Sequence, residues 1–203
     1  MLRLLVLGTG NRKKGQELAR LLGRAGLELR TLADYPQAID VVEDGATFAA
    51  NAALKATQQA RHLGQWVLAD DSGLMVDALD GAPGVFSARY SGPGATDASN
   101  NEKVLEALRD VPLEKRTAQF VCHICLADPS GAVRGESTAS CRGRILFAPS
   151  GGGGFGYDPL FEIVEYHRSF GALSALVKSH LSHRARAAVR IIPRLMELAD
   201  SRE

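Results

Sequence analysis

The sequence predicts an α/β fold, and three observations support that prediction. An apolar run at residues 4–7 ends in glycines and is followed by a helical pattern with leucines on one face. Strand and helix patterns alternate through the first half of the chain, whereas a turn signal at residues 128–131 joins two strand patterns in the second half. The 203 residues are 45% hydrophobic and 23% charged, which suits one large domain or two lobes that share a core.

The individual elements are predicted from apolar runs, helical spacing and turn residues. The glycine-, proline- and serine-rich residues 80–98 are expected to form a long loop. Thr47 is expected to cap the second helix, and Pro193 is expected to kink the last one. The predicted strands are residues 4–7, 27–32, 66–69, 118–127 and 132–141, and the predicted helices are residues 13–22, 48–62, 100–108 and 182–199.

The charge balance and the cysteines exclude several classes of protein. Lysine plus arginine total 24 and aspartate plus glutamate total 23, so the chain lacks the basic surface typical of proteins that bind nucleic acid. Cys122, Cys125 and Cys141 are too few and too scattered for a secreted disulfide framework, and no second pair completes a zinc site. No apolar stretch approaches the ~20 residues of a membrane span, so we expect a cytoplasmic protein that does not bind membranes.

The first candidate site is the glycine turn after the first predicted strand. Such a turn directs backbone N–H groups and the positive end of a helix toward an anion. Lysines at a helix start oppose the helix dipole, so a phosphate there would explain them, although a tight turn with solvated lysines is the alternative. The dinucleotide-binding pattern fails here because Lys13 stands where it needs a third glycine, and the Walker pattern fails because no Gly-Lys-Ser/Thr follows these glycines. The residues concerned are Gly8, Thr9, Gly10, Asn11, Arg12, Lys13 and Lys14.

The second candidate is the acidic pair Asp70-Asp71, which follows a short predicted strand. Ligands bind at the carboxyl ends of strands in α/β sheets. Adjacent residues of an extended chain point in opposite directions, so one carboxylate is expected to face a given site. A second acidic pair, Glu43-Asp44, precedes the next helix, and Mg²⁺ commonly takes one or two protein carboxylates. A plain acidic turn is the alternative.

The third candidate is a run of four glycines, residues 151–154, that leads into Phe155, Gly156, Tyr157 and Asp158. Ordering four glycines has a large entropic cost, so a flexible or closely approached loop is expected. An aromatic ring between glycines suits stacking on a base, and a nearby carboxylate suits hydrogen bonds to the edge of that base. A flexible loop with its aromatic residues anchored in the core is the alternative.

The fourth candidate is a basic segment near the predicted last helix. Ser182 is expected to cap that helix, which places His183 and Arg184 in its first turn against the helix dipole. Lys178 adds a point charge of the kind that binds phosphate. A solvated basic turn is the alternative.

These motifs occur together and in a fixed order, and in that order they resemble the inosine triphosphate pyrophosphatase family, also called the Ham1 family. The resemblance extends over almost the whole chain. The matching residues are Thr9-Gly10-Asn11, Lys14, Glu43, Gly45, Thr47-Phe48, Asn51-Ala52, Lys55-Ala56, residues 69–74, 81–84 and 87–90, Pro149, residues 154–161, Lys178 and residues 182–184.

The resemblance implies a single domain over residues 1–203. Its fold would be an elongated, two-lobed α/β structure around a long mixed sheet, with the active site in the cleft between the lobes. It also implies a homodimer and Mg²⁺-dependent hydrolysis of ITP, dITP and XTP to the monophosphate and pyrophosphate. Such phosphoryl chemistry depends on positioning and on charge neutralisation, which the cations and carboxylates of the motifs supply.

By the same resemblance, Asp71 is the base toward the attacking water, and Asp71 and Glu43 hold Mg²⁺. Because a carboxylate bound to Mg²⁺ is a poor base, Asp70 remains an alternative for the proton. Phe155 would stack on the base, and Asp158, His183 and Arg184 would read its edge. Thr9, Asn11 and Lys14, helped by Lys178, would grip the triphosphate, and Ser72 would contact the substrate. The full set of expected substrate contacts is Thr9, Gly10, Asn11, Arg12, Lys13, Lys14, Ser72, Phe155, Gly156, Tyr157, Asp158, Lys178, His183 and Arg184.

Two departures from the family pattern concern the metal. Ala50 stands where the family commonly has an acidic residue, and residues 171–177, before Lys178, carry no charge. These differences put the number of Mg²⁺ ions in question rather than the activity. The alternative functions are a related house-cleaning pyrophosphatase for other modified nucleotides and a nucleotide-binding sensor without catalysis.

Overall fold

A computed structural model describes residues 2–200, so Met1 and residues 201–203, at the ends of the predicted domain, lie outside the described residues. The elements alternate between strand and helix in the first half of the chain, and strands are concentrated in the second half. The strands are β1 (Leu4–Leu7), β2 (Glu28–Thr31), β3 (Val67–Val76), β4 (Thr117–Ala127), β5 (Val133–Ile145), β6 (Phe161–Ile163) and β7 (Arg168–Ser169). The α-helices are α1 (Arg12–Leu22), α2 (Phe48–Leu63), α3 (Asp97–Ala107), α4 (Ala175–Leu181) and α5 (His183–Asp200).

The strands form one mixed sheet in the order β2-β1-β3-β4-β5-β6-β7. Strand β1 is parallel to both β2 and β3, whereas β6 is antiparallel to β5 and β7. Parallel strands with helical crossovers followed by an antiparallel half are the arrangement expected of an α/β protein with a mixed sheet. The predicted α/β class is therefore confirmed.

The described chain divides into two compact units. The first contains residues 2–71, 122–139 and 184–200. Strand β1 of this unit is buried on both faces, because its successive side chains enter different clusters. Leu5 and Leu7 pack with side chains of α1 and α5, whereas Val6 packs with the alanines of α2. This alternation explains why a continuous apolar run forms β1.

The second unit contains residues 72–121 and 140–183. Its core is built around three phenylalanines from β4, β6 and the segment after β7. The ring centroid of Phe161 lies 4.6 Å from that of Phe120 and 5.3 Å from that of Phe170. Such aromatic contacts bury large areas and favour tilted or edge-on geometries. Leu74 and Val76, in the last part of β3, pack into the same cluster.

Several predicted elements are shorter than the observed ones. Strand β3 was expected to end at residue 69 but continues to Val76, because it remains paired with β4 after β1 has ended. Strand β5 likewise extends to Ile145, where it pairs with β6. Helix α4 and the strands β6 and β7 were not predicted, since each is too short for a periodic pattern. The predicted loop 80–98 contains a 3₁₀ segment, Gly84–Arg89, and the start of α3.

Within the described chain, no helix is both long and apolar enough to cross a membrane. Pro193 lies inside α5, and Thr47 caps α2 by accepting a hydrogen bond from the Ala50 N–H. The expected cap is therefore present.

Gly8 generates a prediction about stability, because β3 leaves no room for a side chain there. A Cβ on Gly8 would lie 2.7 Å from Val67 Cγ1 and 3.3 Å from Ala69 Cβ. We expect Gly8→Ala to lower the free energy of unfolding by about 1–3 kcal/mol, measured by urea denaturation. Gly10→Ala is the matched control, because a Cβ there would meet nothing within 4 Å. An equal effect of both substitutions would contradict this explanation.

Candidate active site

Asp70 and Asp71 lie in the middle of β3, at the level where β1 ends, and not in a turn. Adjacent residues of a strand point to opposite faces of the sheet, and the two carboxylates have different partners. Asp70 contacts Arg184, from α5, whereas Asp71 contacts Asn51 and Lys55, from α2. The two carboxylates of the acidic pair therefore lie in two different environments.

The Asp71 carboxylate is held by two side chains of α2. Its Oδ2 accepts a hydrogen bond from Asn51 Nδ2 at 3.2 Å, and its Oδ1 lies 3.2 Å from Lys55 Nζ. Lys55 Nζ also lies 2.8 Å from Glu43 Oε2. One ammonium group thus joins the two carboxylates that the sequence marks as metal ligands. Asn51 and Lys55 are four residues apart, so they share one face of the helix.

The loop before α2 positions Asn51. The Asn51 Oδ1 accepts a hydrogen bond from the Gly45 N–H at 2.8 Å, which orients the Nδ2 group toward Asp71. A Cβ on Gly45 would lie 2.7 Å from that Oδ1, so a side chain there would disrupt the contact. Gly45 is therefore required by close approach and not by a turn.

Burial and charge act in opposite directions on Asp71. Burial of the carboxyl is the largest influence and raises the pKa of Asp71, while the ammonium groups of Lys55 and Lys14 lower it in part. The net pKa of Asp71 lies above the ordinary value of an aspartate. A raised pKa makes a carboxylate more basic, which is the direction that suits acceptance of a proton.

Asp70 is fully buried in an ion-pair network inside the first unit. The Arg184 guanidinium lies 3.2 Å from Asp70 Oδ2 through Nε and 2.7 Å from Glu17 Oε2 through Nη1. The Arg184 side chain is only 3% exposed. Burying one guanidinium requires paired, hydrogen-bonded carboxylates, and α1 and β3 supply one each.

Charge outweighs burial at Asp70. Burial opposes ionisation of this carboxyl, but the positive charges of Lys14 and Arg184 hold the pKa of Asp70 well below its ordinary value. Burial likewise opposes the charged form of Arg184, and Asp70 and Glu17 outweigh it and raise the pKa of the guanidinium. Both groups are therefore ionised at neutral pH. The expected contact of Arg184 with the base edge stays a prediction.

The glycine turn after β1 forms the start of α1 as expected. The Asn11 side chain caps the helix, with its Oδ1 accepting from the Lys13 N–H at 3.0 Å and the Lys14 N–H at 3.1 Å. The Asn11 N–H in turn donates to Thr9 Oγ1 at 3.2 Å. Residues 10–13 of this turn are exposed. The positive charge of Lys14 lowers the pKa of both β3 carboxylates. The turn thus presents cations and a helix start together.

The carboxylate oxygens near Lys55 are of the chemical type that a hard divalent cation such as Mg²⁺ binds. Within residues 2–200, no group of three or more His, Cys, Asp and Glu side chains could hold a metal ion. Asp71 and Glu43 supply two carboxylates close to one cation, the Lys55 ammonium. Mg²⁺ commonly binds through one or two carboxylates and takes water and phosphate oxygens in its other positions.

In the second unit, the glycine run bends around an ion pair. Lys178 Nζ lies 2.9 Å from Asp158 Oδ2, and both side chains are largely buried. Gly154 adopts a positive φ of 88°, and a Cβ there would overlap the Asp158 carboxylate. The close approach expected of this glycine run is therefore made by the chain's own Asp158–Lys178 pair.

The aromatic residues of this loop have different surroundings. Tyr157 is buried in the second core, and its hydroxyl donates to the Ser87 carbonyl at 2.8 Å. Phe155 is half-buried, one residue before Gly156. His183, at the start of α5, stacks on Phe120 with ring centroids 4.8 Å apart. Phe155 is thus the more accessible of the two predicted aromatic contacts.

The remaining predicted contact is Ser72, which lies on β3 directly after Asp71. Ser182, the expected cap, directly precedes α5. Lys55 and Asn51 matched the family pattern but were not predicted as site residues. A signal was available, since they are polar residues four apart on an otherwise alanine-rich helix. Glu17 was also missed, because nothing local indicates its long-range partner.

Comparison with known proteins agrees with this geometry. The model of the Ham1 family matches residues 5–194. A dITP/XTP pyrophosphatase of Rhodopirellula baltica is 59% identical over 197 residues, which cover 97% of this chain and 95% of that protein. A dITP/XTP pyrophosphatase of Desulforamulus reducens is 47% identical, covering 94% and 96% respectively. The structure of a HAM1 protein from Coxiella burnetii is 38% identical, with a TM-score of 0.87 over 97% of this chain and 100% of that chain.

The buried ion pair generates a second prediction about stability. Asp70→Asn removes the charge that faces Arg184, so we expect the free energy of unfolding to fall by roughly 3 kcal/mol or more. Glu28→Gln is the control, because Glu28 pairs with Arg30 on the surface and should change stability little. Urea denaturation of both variants at pH 7 measures the difference. A loss at Asp70 no larger than that at Glu28 would contradict the assignment.

Proposed function

Because this chain belongs to the Ham1 family, we propose that it is a nucleoside-triphosphate pyrophosphohydrolase. Its substrates are dITP, XTP and ITP, which it cuts between the α- and β-phosphates to give the monophosphate and pyrophosphate. The observation that carries the proposal is the buried Asp71 carboxylate, held by Asn51 and Lys55 with Glu43 on the same ammonium group. The names of the relatives support the choice of substrates.

In this proposal, Asp71 accepts a proton from the attacking water. Asp70 is the weaker candidate, because it is fully buried and committed to the ion pair with Arg184. Asp71 keeps 7% of its surface exposed and lies beside Lys55, whose charge suits the developing charge on the phosphates. The proposal thus assigns the proton to Asp71 and the anchoring of β3 to Asp70.

We assign Asp71 and Glu43 as the residues that would hold Mg²⁺. Because a carboxylate bound to Mg²⁺ is a poor base, Asp71 would hold the metal and accept the proton in different microstates of the site. When bound, Mg²⁺ would neutralise charge on the phosphate oxygens. Lys55 keeps the two carboxylates near one point, and Lys14 adds a second positive charge that acts on Asp71. Thr9, Asn11 and Lys13 belong to the exposed turn at the start of α1, which suits the rest of the triphosphate.

The Asp158–Lys178 pair refines the assignment of these two residues. Two atoms 2.9 Å apart act at the same end of a nucleotide, so Lys178 and Asp158 are assigned together to the base rather than to opposite ends. An ammonium donor beside a carboxylate acceptor matches the 6-oxo acceptor and the N1–H donor of hypoxanthine and xanthine. Adenine reverses both groups, which leaves buried polar atoms unpaired and is a strong cause of rejection.

Phe155 completes this end of the substrate in the proposal. It is half-buried, stands between two glycines and is suited to stack on the purine ring. We further propose that the protein is cytoplasmic and that, as the family resemblance implies, it forms a homodimer. Sedimentation at twice the 21.7 kDa mass of the chain would support the dimer, and sedimentation at that mass would contradict it.

A substrate panel tests the proposed reaction. Pyrophosphate release is measured from ITP, dITP, XTP, GTP, ATP and dUTP, with Mg²⁺ and with excess chelator. We expect release from the first three with Mg²⁺ only, and little release from the others. Adenine reverses the donor and acceptor pattern described above, dUTP lacks a purine ring to stack on Phe155, and GTP, which shares the 6-oxo and N1–H groups, must be excluded at its 2-amino group. Preferred release from dUTP would favour a related pyrophosphatase for other nucleotides. Binding without turnover would favour a sensor.

Asp71→Asn tests the proposed base. The amide keeps the size of the side chain but cannot accept the proton, so we expect kcat for dITP to fall by about 10²–10⁴-fold while the nucleotide still binds. Asp44→Asn is the matched control, because Asp44 is exposed and next to Glu43. Single-turnover kinetics and calorimetric binding measure the two effects. Turnover of the Asp71 variant at the rate of the control would remove Asp71 from the mechanism.

A further inference from the structure

Two side chains of α3 hold both polar groups of one peptide residue in the glycine-rich loop. The Asp97 carboxylate accepts a hydrogen bond from the Gly156 N–H at 2.9 Å through Oδ2. The Asn101 amide donates to the Gly156 carbonyl at 3.0 Å through Nδ2. All three residues belong to the second unit. Gly156 is thus fixed at both ends by a helix that is 55 residues away in sequence from it.

Helix α3 is a rigid support for these contacts. Asp97 and Asn101 are four residues apart and therefore lie on the same face of the helix. The helix start is fixed by a capping box, in which Thr96 and Ser99 exchange hydrogen bonds between side chain and backbone. Val104 of the same helix is buried in the second core. The clamp, defined as Asp97 and Asn101, is therefore anchored independently of the loop.

The orientation of the Asn101 amide follows from Gly156. Its Oδ1 is buried and makes no hydrogen bond within the part of the chain that the structure describes, whereas its Nδ2 has the Gly156 carbonyl as acceptor. Rotating the amide by half a turn would place an oxygen against that carbonyl and lose the bond. The amide therefore has one favoured orientation, and that orientation is set by the loop.

The backbone conformation at Gly156 determines where the neighbouring Phe155 lies. Gly156 adopts a positive φ of 60°, a conformation that glycine reaches without strain. On one side of it, Tyr157 is fixed by burial and by the Ser87 carbonyl. On the other side is Phe155, preceded by Gly154 and three further glycines. Phe155 itself is bonded within the loop, because its C=O accepts from the Asp158 N–H at 3.2 Å and its N–H donates to Asp158 Oδ2 at 3.4 Å. The hydrogen bonds to Gly156 are the contacts that fix the peptides on both sides of Gly156, including the one that joins it to Phe155, to a helix outside the loop.

We propose that Asp97 and Asn101 are positioning residues that hold the Gly156 peptide and thereby pre-orient Phe155 for stacking on the purine base. This inference rests on the proposed function, in which Phe155 contacts the base. Without the clamp, the glycine-rich loop must become ordered each time substrate binds. The conformational entropy that the loop then loses weakens substrate binding. The clamp therefore acts on affinity for the base and not on the chemical step at the phosphates.

Kinetics of Asp97→Ala and Asn101→Ala test the inference. We expect KM for dITP to rise about tenfold in Asp97→Ala, as for one lost hydrogen bond to a charged group, and by a smaller factor of about two- to tenfold in Asn101→Ala, where the lost bond is neutral, while kcat stays within about twofold. The inhibition constant of inorganic tripolyphosphate, which has phosphates but no base, should not change. Asp97→Asn should recover most of the affinity, because its side-chain oxygen still accepts from the Gly156 N–H. Glu102→Ala, an exposed site on the same helix, is the control.

Amide hydrogen exchange separates this inference from the proposed function. In the protein without nucleotide, the Gly156 N–H should exchange faster in Asp97→Ala than in the parent chain, while the buried amide of Val104 keeps its protection. This measurement needs no substrate, so it reports on the clamp even if the parent chain hydrolyses nothing. An unchanged Gly156 amide, or equal changes in dITP KM and tripolyphosphate inhibition, would overturn the positioning role.

Discussion

The ion pair between Asp70 and Arg184 is the interaction on which the rest of the first unit depends. Asp70 is fully buried, and its carboxylate is 3.2 Å from a guanidinium that is itself 3% exposed. A lone buried charge costs several kcal/mol, so each partner is tolerable only because the other is present. The pair joins β3 to α5, and Glu17 adds α1 to the same guanidinium. The strand that carries Asp71 is thereby fixed in position.

Fixing β3 gives two adjacent carboxylates different chemistry. The pKa of Asp70 is held low by Lys14 and Arg184 against the effect of burial, whereas burial prevails at Asp71 and raises its pKa. One carboxylate therefore remains a structural anion, and the other is the more basic group beside Lys55 and Asn51. The second unit holds another largely buried pair, between Asp158 of its glycine-rich loop and Lys178 of α4. In both units, the proposed site residues are positioned by partners that also carry charge.

Local signals in the sequence predicted much of the fold and part of the site. The apolar run at β1, the Thr47 cap and the position of α5 follow from residues that are neighbours in sequence. The length of β3 does not follow from such neighbours. The segment Asp70-Asp71-Ser72-Gly73 has residues typical of a turn, and it continues as a strand because it pairs with β4. The anchoring role of Asp70 depends on Arg184, 114 residues away, and the partners of Asp71 are 16 and 20 residues away. Sequence patterns of period two or 3.6 contain no information about such pairs.

A double-mutant cycle between Asp70 and Arg184 tests the central claim most directly. The variants are Asp70→Asn, Arg184→Met and the two combined, and the free energy of unfolding of each is measured in urea. If the two charges support one another as described, removing the second charge should cost far less once the first is gone, with a coupling energy of about 2 kcal/mol or more. Additive losses from the two substitutions would show that Asp70 and Arg184 act independently, and the account of β3 given above would be wrong.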